Sequence, residues 1–164
     1  MNKSCKCLSP SINNTSEILI LGSMPGVTSI EKQQYYAQPH NRFWKIMGIM
    51  CEVSNLYELN YESKLNVLLS NNIALWDTLD YCERSGSLDS KIKNERPNDI
   101  RKLLKDYPNI KIICLNGQTS YSTLKKYFPD LLSKYTCYLM PSTSRANAKY
   151  SLDNLVKEWS KFKQ

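Results

Sequence analysis

The chain has 164 residues, of which 41% are hydrophobic, and its mean hydropathy is −0.48. This suits one domain of ordinary size, and no apolar run approaches the roughly 18 residues that cross a bilayer. Because no secretory signal pattern is present, we expect a single domain over residues 1–164 in the cytoplasm, without a membrane partner. The net charge of +7 agrees with a polyanionic partner such as nucleic acid, and equally with a lysine-rich soluble surface.

Short apolar runs alternate along the chain with segments of helical periodicity. The predicted strands are residues 17–21, 73–76, 110–115 and 135–140, and the predicted helices are residues 41–50, 61–70, 97–105, 118–128 and 151–162. This alternation predicts an α/β fold, with a parallel sheet covered by helices on both faces. Residues 1–14 are predicted to form an extended arm, and residues 82–98 a long polar loop without regular structure.

Ligands of such sheets bind beyond the carboxyl ends of the strands, so the residues that follow each strand are candidates for a site. The first strand ends in GSMPG, residues 22–26. Its glycines permit a close backbone approach to a ligand, and free N–H groups there can bind an oxyanion or a base edge. Neither GxGxxG nor GxxxxGK[ST] is present, so a nucleotide-cofactor loop is weakly supported. A tight strand exit is the simpler alternative.

An aromatic and polar segment, YYAQPHNRFW, follows at residues 35–44. Tyr36 can stack on a flat ligand. Asn41 stands where a helix cap is expected, and its amide can alternatively hold a water. Phe43 is most simply a core residue of the helix that follows. His40, the only histidine, lies on a loop and is not expected to act as a general base.

The third and fourth predicted strands also end in polar residues. Asn116 offers an amide donor and acceptor to a base edge, or alternatively a turn before Gly117. The loop after the fourth strand combines hydroxyls, amides and an arginine, which suits phosphate contacts, although it can also be a polar approach to the last helix. Its candidate DNA-binding residues are Ser142, Thr143, Ser144, Arg145 and Asn147.

The six cysteines are expected to be free thiols in a cytosolic protein of this size. Cys5 and Cys7 form the one close pair, and no second pair completes a zinc site. We therefore expect no metal and no cofactor.

Taken together, GSMPG, YYAQPHNRFWKIM, LNG and MPSTSRANA resemble the uracil-DNA glycosylase superfamily in order and spacing, over about residues 17–160. Within it, they most resemble the hypoxanthine-DNA (deoxyinosine) glycosylase family. The stretch WDTLDYCERSGSLDSKI also resembles the middle segment of that family. The resemblance implies a three-layer α/β/α sandwich with a central four-stranded, mostly parallel sheet. It also implies flipping of a damaged base out of double-stranded DNA and hydrolysis of its N-glycosidic bond.

The resemblance implies particular roles as well. Asn41, in the Pro-x-Asn step, matches the catalytic asparagine of the hypoxanthine branch, Tyr36 the base-stacking aromatic, and Asn116 the position that reads the base edge. The implied base pocket is Gly22, Ser23, Met24, Pro25, Tyr36, Phe43 and Asn116. No lysine nucleophile is required, so we expect a monofunctional enzyme, acting as a monomer in base excision repair.

Three positions depart from related patterns. Met24 stands where mismatch-specific uracil enzymes carry an asparagine, and Met140 where classical uracil enzymes carry a histidine. Arg145 stands where the hypoxanthine branch tends to have a proline, which leaves its role open. The alternatives are a uracil or mismatch glycosylase of the same fold and a non-catalytic nucleic-acid or nucleotide-binding module. A metal-dependent hydrolase is disfavoured, because there is one histidine and no clustered carboxylates.

Overall fold

A computed structural model describes residues 2–163, so residues 1 and 164 of the predicted domain lie outside the described part. The strands in this range are β1 (Lys3–Lys6), β2 (Ile18–Gly22), β3 (Ile73–Asp77), β4 (Leu79–Arg84), β5 (Lys93–Pro97), β6 (Ile112–Asn116) and β7 (Thr136–Met140). The helices are α1 (Val27–Lys32), α2 (Phe43–Met50), α3 (Tyr61–Ser70), α4 (Ile100–Asp106), α5 (Gln118–Tyr127), α6 (Leu131–Lys134) and α7 (Leu152–Trp159). Short 3₁₀ turns span Leu56–Glu58, Asp89–Lys91 and Ser160–Lys163.

The main sheet has four parallel strands in the order β3-β2-β6-β7. Neighbouring residues of β2 point to opposite faces, as the period of a strand requires. Ile20 packs into a core with α2, α3 and α7, while Leu19 and Leu21 pack into a second core with α4, α5 and α6. Helices therefore cover both faces, which confirms the predicted three-layer α/β/α sandwich.

A second, antiparallel sheet of three strands was not predicted, and its order is β1-β4-β5. The segment predicted as an extended arm contains β1, which pairs with β4. The prediction that residues 82–98 lack regular structure is wrong, because they include the end of β4 and all of β5. The physical reason is that β5 reads KNERP and has no buried apolar face, so its periodicity gives no strand signal. Its structure comes from backbone pairing with β4, along a ladder whose register shifts at two points.

Helix boundaries differ slightly from the predictions. The helix predicted from residue 97 begins at Ile100, because Pro97 ends β5 and the Asp99 side chain caps the helix by accepting from the Lys102 N–H. The helix predicted from residue 41 begins at Phe43, which leaves Asn41 and Arg42 in the preceding turn. Across residues 2–163, no helix is both long enough and apolar enough to cross a membrane.

Candidate active site

A cleft of about 930 Å³ opens at the carboxyl ends of the parallel strands. The ends of β2, β3, β6 and β7 all contribute to its wall, as expected for a parallel sheet. The predicted residues that line it are Gly22, Ser23, Met24, Pro25, Tyr36, Asn41, Asn116, Ser142, Thr143, Ser144, Arg145 and Asn147. The strand ends thus bring together nearly every residue that the sequence singled out.

Phe43 is the exception in the predicted base pocket. It is fully buried in α2 and lies behind Tyr36, outside the cleft lining. The two rings are stacked, with centroids 3.9 Å apart and an interplanar angle of 22°. Phe43 therefore supports the ring of Tyr36 from behind, because an aromatic residue on the inner face of an amphipathic helix packs into the core.

The ring of Tyr36 is held in an unusual backbone conformation. Its φ is 54°, in the left-handed region that a bulky residue seldom adopts. The Tyr36 hydroxyl accepts a hydrogen bond from the Asn116 amide nitrogen at 3.3 Å. Burial raises the pKa of Tyr36, so its hydroxyl stays neutral and can act as donor or acceptor in the cleft.

Gly22 makes the close packing at the end of β2 possible. A Cβ on this residue would lie 2.5 Å from Asp77 Oδ1 and 3.2 Å from the Tyr36 hydroxyl oxygen. Only glycine allows these two side chains to approach the same point of the cleft floor. The following Met24 is buried in a small cluster with Cys5, Leu79 and Cys82, on the side of the antiparallel sheet. Its thioether has no strong polar group to hold a water.

Asn41 lies in the turn before α2, and its amide oxygen has two donors. It accepts hydrogen bonds from the Phe43 N–H at 2.9 Å and from the Thr143 hydroxyl at 2.8 Å. The contact with Phe43 N is an Asx-type turn that fixes the start of the helix. Since an amide oxygen has two lone pairs, these bonds fill it, and the amide nitrogen keeps its hydrogens for a ligand.

Thr143 connects the two asparagines of the cleft. Its hydroxyl accepts from the Asn116 amide nitrogen at 3.1 Å, and its own N–H donates to the Asn116 amide oxygen at 3.1 Å. We call the connected side chains of Asn41, Thr143, Asn116 and Tyr36 the amide network. Thr143 is 1% exposed, and its hydroxyl is occupied within the protein. Its predicted contact with DNA phosphates stays a prediction.

Arg42 organises the loop that follows β7, a role that the sequence did not reveal. Its guanidinium donates to four backbone carbonyls, those of Thr143 (3.4 Å), Ser144 (2.8 Å), Asn147 (3.1 Å) and Tyr150. The rigid fork of five N–H donors suits this task, since it can bind several carbonyls at fixed angles. The only sequence signal is an arginine beside Asn41, and nothing in it indicates a loop more than 100 residues away.

The rest of that loop is partly accessible. Ser142 accepts from the Ser144 N–H at 3.2 Å, and the Asn147 amide donates to the Ser142 carbonyl at 3.0 Å, so both side chains also shape the loop. Arg145 is exposed at the cleft rim, which leaves its charge free for an anionic ligand. Ser144 is half-buried beside it.

Asp77, at the end of β3, is a cleft residue for which no role was predicted. It is 4% exposed, and among residues 2–163 its Oδ2 has no hydrogen-bond partner. Burial, reinforced by repulsion from Asp89, raises the pKa of Asp77 to about 7, although Arg84 opposes the shift. The available signal was its position: Asp77 is a polar residue directly after the apolar run that ends at Trp76, at the carboxyl end of a predicted strand.

Arg84 and Asp89 lie on the same side of the cleft, and we call Asp77, Arg84 and Asp89 the carboxyl cluster. Arg84 is 1% exposed and donates from Nη2 to the Pro25 carbonyl at 2.5 Å, while Nε and Nη1 are buried without partners in the described chain. Ser23 donates to Asp89 Oδ1 at 2.7 Å. These two contacts attach the loop after β2 to the antiparallel sheet and the segment beyond it.

The described residues contain no group of three or more His, Cys, Asp or Glu side chains that could hold a metal ion. Besides charged side chains that include Asp89 and Arg145, the polar groups of the cleft are amides, hydroxyls and the buried carboxyl of Asp77. Such a site can position a water and stabilise charge on a ligand through fixed dipoles.

Comparison with known proteins agrees with this fold and site. Residues 10–163 match the model of the uracil DNA glycosylase superfamily. Two curated relatives are named hypoxanthine DNA glycosylase. One, from Methanosarcina acetivorans, is 41% identical over 90% of each chain, and the other, from Methanosarcina barkeri, is 39% identical over 92% of each chain.

A solution NMR structure of a candidate uracil DNA glycosylase from Methanosarcina acetivorans is similar to this one, with a TM-score of 0.82 and 38% sequence identity. The match covers 97% of this chain and 96% of that one. The chain therefore belongs to the uracil DNA glycosylase superfamily, which confirms the resemblance seen in the sequence motifs.

Proposed function

We propose that the protein is a monofunctional DNA glycosylase that removes hypoxanthine from deoxyinosine in double-stranded DNA, as a step of base excision repair. The observation that carries the proposal is the amide network, which fixes Asn41, Asn116 and the Tyr36 ring around one cleft at the strand ends. The names of the two curated relatives, each about 40% identical, support the choice of base.

The cleft suits a flipped purine. The ring of Tyr36, backed by Phe43, offers a stacking surface, and base–aromatic stacking contributes about 1–3 kcal/mol per base. Residues 22–24 line the cleft, and their backbone N–H groups would bind polar atoms at the base edge together with the one lone pair that the amide network leaves on the Asn116 amide oxygen. Flipping costs least where the base is mispaired, which favours deaminated adenine over normal bases.

Asn41 would hold the attacking water through its amide nitrogen. Its oxygen already accepts from Phe43 N and Thr143 Oγ1, so the nitrogen is the group of Asn41 that remains for the water. An amide is too weak a base to deprotonate water early. It orients the water instead, and the developing oxocarbenium ion makes the water acidic once the N-glycosidic bond is nearly broken. Orientation of this kind is a large effect.

DNA binding would rest on the surface around the cleft. Arg145 and Lys149 are exposed cations of the loop at the cleft rim, and the net charge of +7 adds sequence-independent affinity for phosphates. One chain supplies every residue of the cleft, so a monomer suffices. Because water attack requires no lysine nucleophile, the product would be an abasic site in an intact strand.

The test is base release from labelled duplexes that carry hypoxanthine, uracil or xanthine opposite each normal base, with abasic sites revealed by alkaline cleavage. We expect cleavage at hypoxanthine by the native protein, reduced at least about 10²-fold by Asn41→Ala and by Asn41→Asp. The aspartate variant is the sharper of the two, because it keeps both accepted hydrogen bonds while it replaces the amide NH2 by a negatively charged oxygen that cannot donate.

Asn55→Ala is the matched control, since Asn55 is exposed and its side chain makes no capping bond. It should leave the rate unchanged. Cleavage mainly at uracil would keep the fold and overturn the proposed substrate. Binding of the duplexes without release of any base would indicate a non-catalytic DNA-binding module.

A further inference from the structure

Asp77 is a buried carboxyl on the cleft floor, and the mechanism proposed above gives it no role. It lines the cleft, is 4% exposed, and its Oδ2 has no protein partner among residues 2–163. Buried carboxyl groups are almost always hydrogen-bonded, so an incompletely partnered carboxyl in the wall of a cleft points to a ligand. The floor is kept open at this point by Gly22, where even a methyl group would collide with Asp77 Oδ1 at 2.5 Å.

The ionisable groups near Asp77 come from several elements. They are the charged side chains of Asp89 and Arg84, the hydroxyls of Tyr35, Tyr36 and Tyr61, and the thiol of Cys7. Burial raises the pKa of all three tyrosines and of Cys7, so none of these groups carries charge at neutral pH. Asp89 and Arg84 therefore supply the neighbouring charges, and they act in opposite directions.

We infer that the neutral carboxyl of Asp77 reads the lactam edge of the flipped hypoxanthine, donating its O–H to O6 and accepting from N1–H. The inference deepens the proposed function and rests on it. A neutral carboxylic acid presents one donor and one acceptor side by side, which is the complement of a lactam. The neighbouring Asn116 donates from its amide nitrogen within the amide network, so one lone pair of its amide oxygen is left for another part of the base.

The same hydrogen bond would favour departure of the base. When the N9–C1′ bond breaks, its electron pair goes to the base, and part of the negative charge reaches O6. The donated hydrogen bond strengthens as that charge grows, so it stabilises the transition state more than the ground state. The proton stays on Asp77, water adds its oxygen to C1′, and the proton lost by the water neutralises the departing base.

An ionised Asp77 would have the opposite effect, because it would place a second negative charge beside the leaving base. Loss of solvation, with repulsion from Asp89, raises the pKa of Asp77 to about 7. The active neutral form is therefore present below pH 7 and decreases about tenfold for each pH unit above it. The pH dependence of kcat/KM reports this group in the free protein.

The experiment measures kcat/KM on a deoxyinosine duplex from pH 5.5 to 8.5 for the native protein, Asp77→Asn and Asp77→Leu. Asp153→Asn, at an exposed position of α7 outside the cleft lining, is the matched control. We expect the native value to fall about tenfold per unit above pH 7. The asparagine variant keeps one donor and one acceptor, so its profile should be flat and should exceed the native value at pH 8.5. The leucine variant should lose about 10²–10³-fold at every pH.

Three results would overturn the inference. An asparagine variant that loses as much as the leucine variant would show proton transfer rather than lactam reading. A fall above pH 7 retained by the asparagine variant would assign that titration to another group, and native activity in the leucine variant would exclude a contact with the base. Circular dichroism checks the folding of each variant, and the isosteric asparagine variant suffices if the leucine variant unfolds. Absence of hypoxanthine release by the native protein at any pH would instead refute the proposed function.

Discussion

The two sides of the cleft are built on different physical principles. In the amide network, Asn41, Thr143, Asn116 and Tyr36 are neutral, and each makes a hydrogen bond to another member. In the carboxyl cluster, Asp77 and Arg84 are buried with unpartnered polar atoms. The members of the amide network therefore bond to one another, whereas the carboxyl cluster keeps buried polar atoms that have no hydrogen-bond partner among residues 2–163.

The difference between the two sides indicates that one sets the positions of groups in the site and the other sets its charge. Satisfied buried networks fix the position of their members, which suits a group that must orient a water. Unsatisfied buried groups cost stability and respond to pH, which suits a group that must recognise a polar base edge. We therefore expect changes in the amide network to alter the rate at all pH values, and changes in the carboxyl cluster to alter the pH dependence. Three stability and activity measurements sharpen this contrast.

The largest expected effect is a gain of stability in Asp77→Asn. The pKa of Asp77 rises from its ordinary 3.8 to about 7 on folding, so the folded state binds this proton more tightly than the unfolded chain. The contribution of Asp77 is therefore fully favourable below about pH 4 and is lost as pH rises to about 7. A rise of about three in the pKa corresponds to roughly 4 kcal/mol at most.

We predict from this that Asp77→Asn is more stable than the native protein at pH 8 by up to that amount, and similar to it at pH 4. Urea unfolding at the two pH values measures the difference. Asp153→Asn, which is exposed, should change little at either pH. A gain of equal size at both pH values would show that charge on Asp77 is not its cause.

Thr143→Val tests the amide network, because it removes the hydroxyl that joins Asn41 to Asn116 while keeping the shape of the side chain. The buried Asn116 amide loses an acceptor, which costs about 1–3 kcal/mol of stability. We expect kcat to fall about 10- to 100-fold, by a similar factor at pH 6 and pH 8. Thr143→Ser should restore most of it, and Thr136→Val, at an exposed position of β7, serves as control. A loss confined to one end of the pH range would contradict the separation of the two sides.

Arg42→Lys is expected to have the smallest effect of the three. A lysine ammonium cannot replace the four contacts of the guanidinium with the loop carbonyls, so the loop that carries Arg145 becomes less ordered. We predict about tenfold weaker binding of an abasic duplex, measured by fluorescence anisotropy. Arg101→Lys removes an exposed pairing with Asp130 and should leave binding unchanged. Equal losses in both variants would show that the contacts of Arg42 with the loop carbonyls are not the cause.

Much of the fold and part of the site could be predicted from the sequence. The apolar runs that became β2, β3 and β6 are mostly uninterrupted because both faces of the sheet are buried there, and this pattern is local. The rule that ligands bind at the carboxyl ends then placed the Gly22 turn, Asn116 and the loop after β7 in one cleft. Asn41 could be singled out because its position in the turn, before an amphipathic helix, was visible in the chain itself.

The remaining features depend on contacts between distant parts of the chain. Thr143 and Arg145 are similar loop residues in the sequence, yet Thr143 is buried because Asn41, 102 residues away, bonds to its hydroxyl. Asp77 could not be assigned a role, because the burial that raises its pKa arises only once distant parts of the chain fold around it, with Asp89 reinforcing the shift and Arg84 opposing it. The strand β5 was missed for a similar reason, since its structure comes from pairing with β4 and not from its own residues.

The most direct test of the account is identification of the products from a deoxyinosine duplex, by mass spectrometry of the released base and by gel analysis of the DNA before alkali. The account predicts free hypoxanthine and an intact strand that breaks only after alkaline treatment, with both products lost in Asn41→Asp. A strand broken before alkali would contradict a monofunctional hydrolysis. Undiminished release of hypoxanthine by Asn41→Asp would contradict the assignment of the water to the amide nitrogen of Asn41.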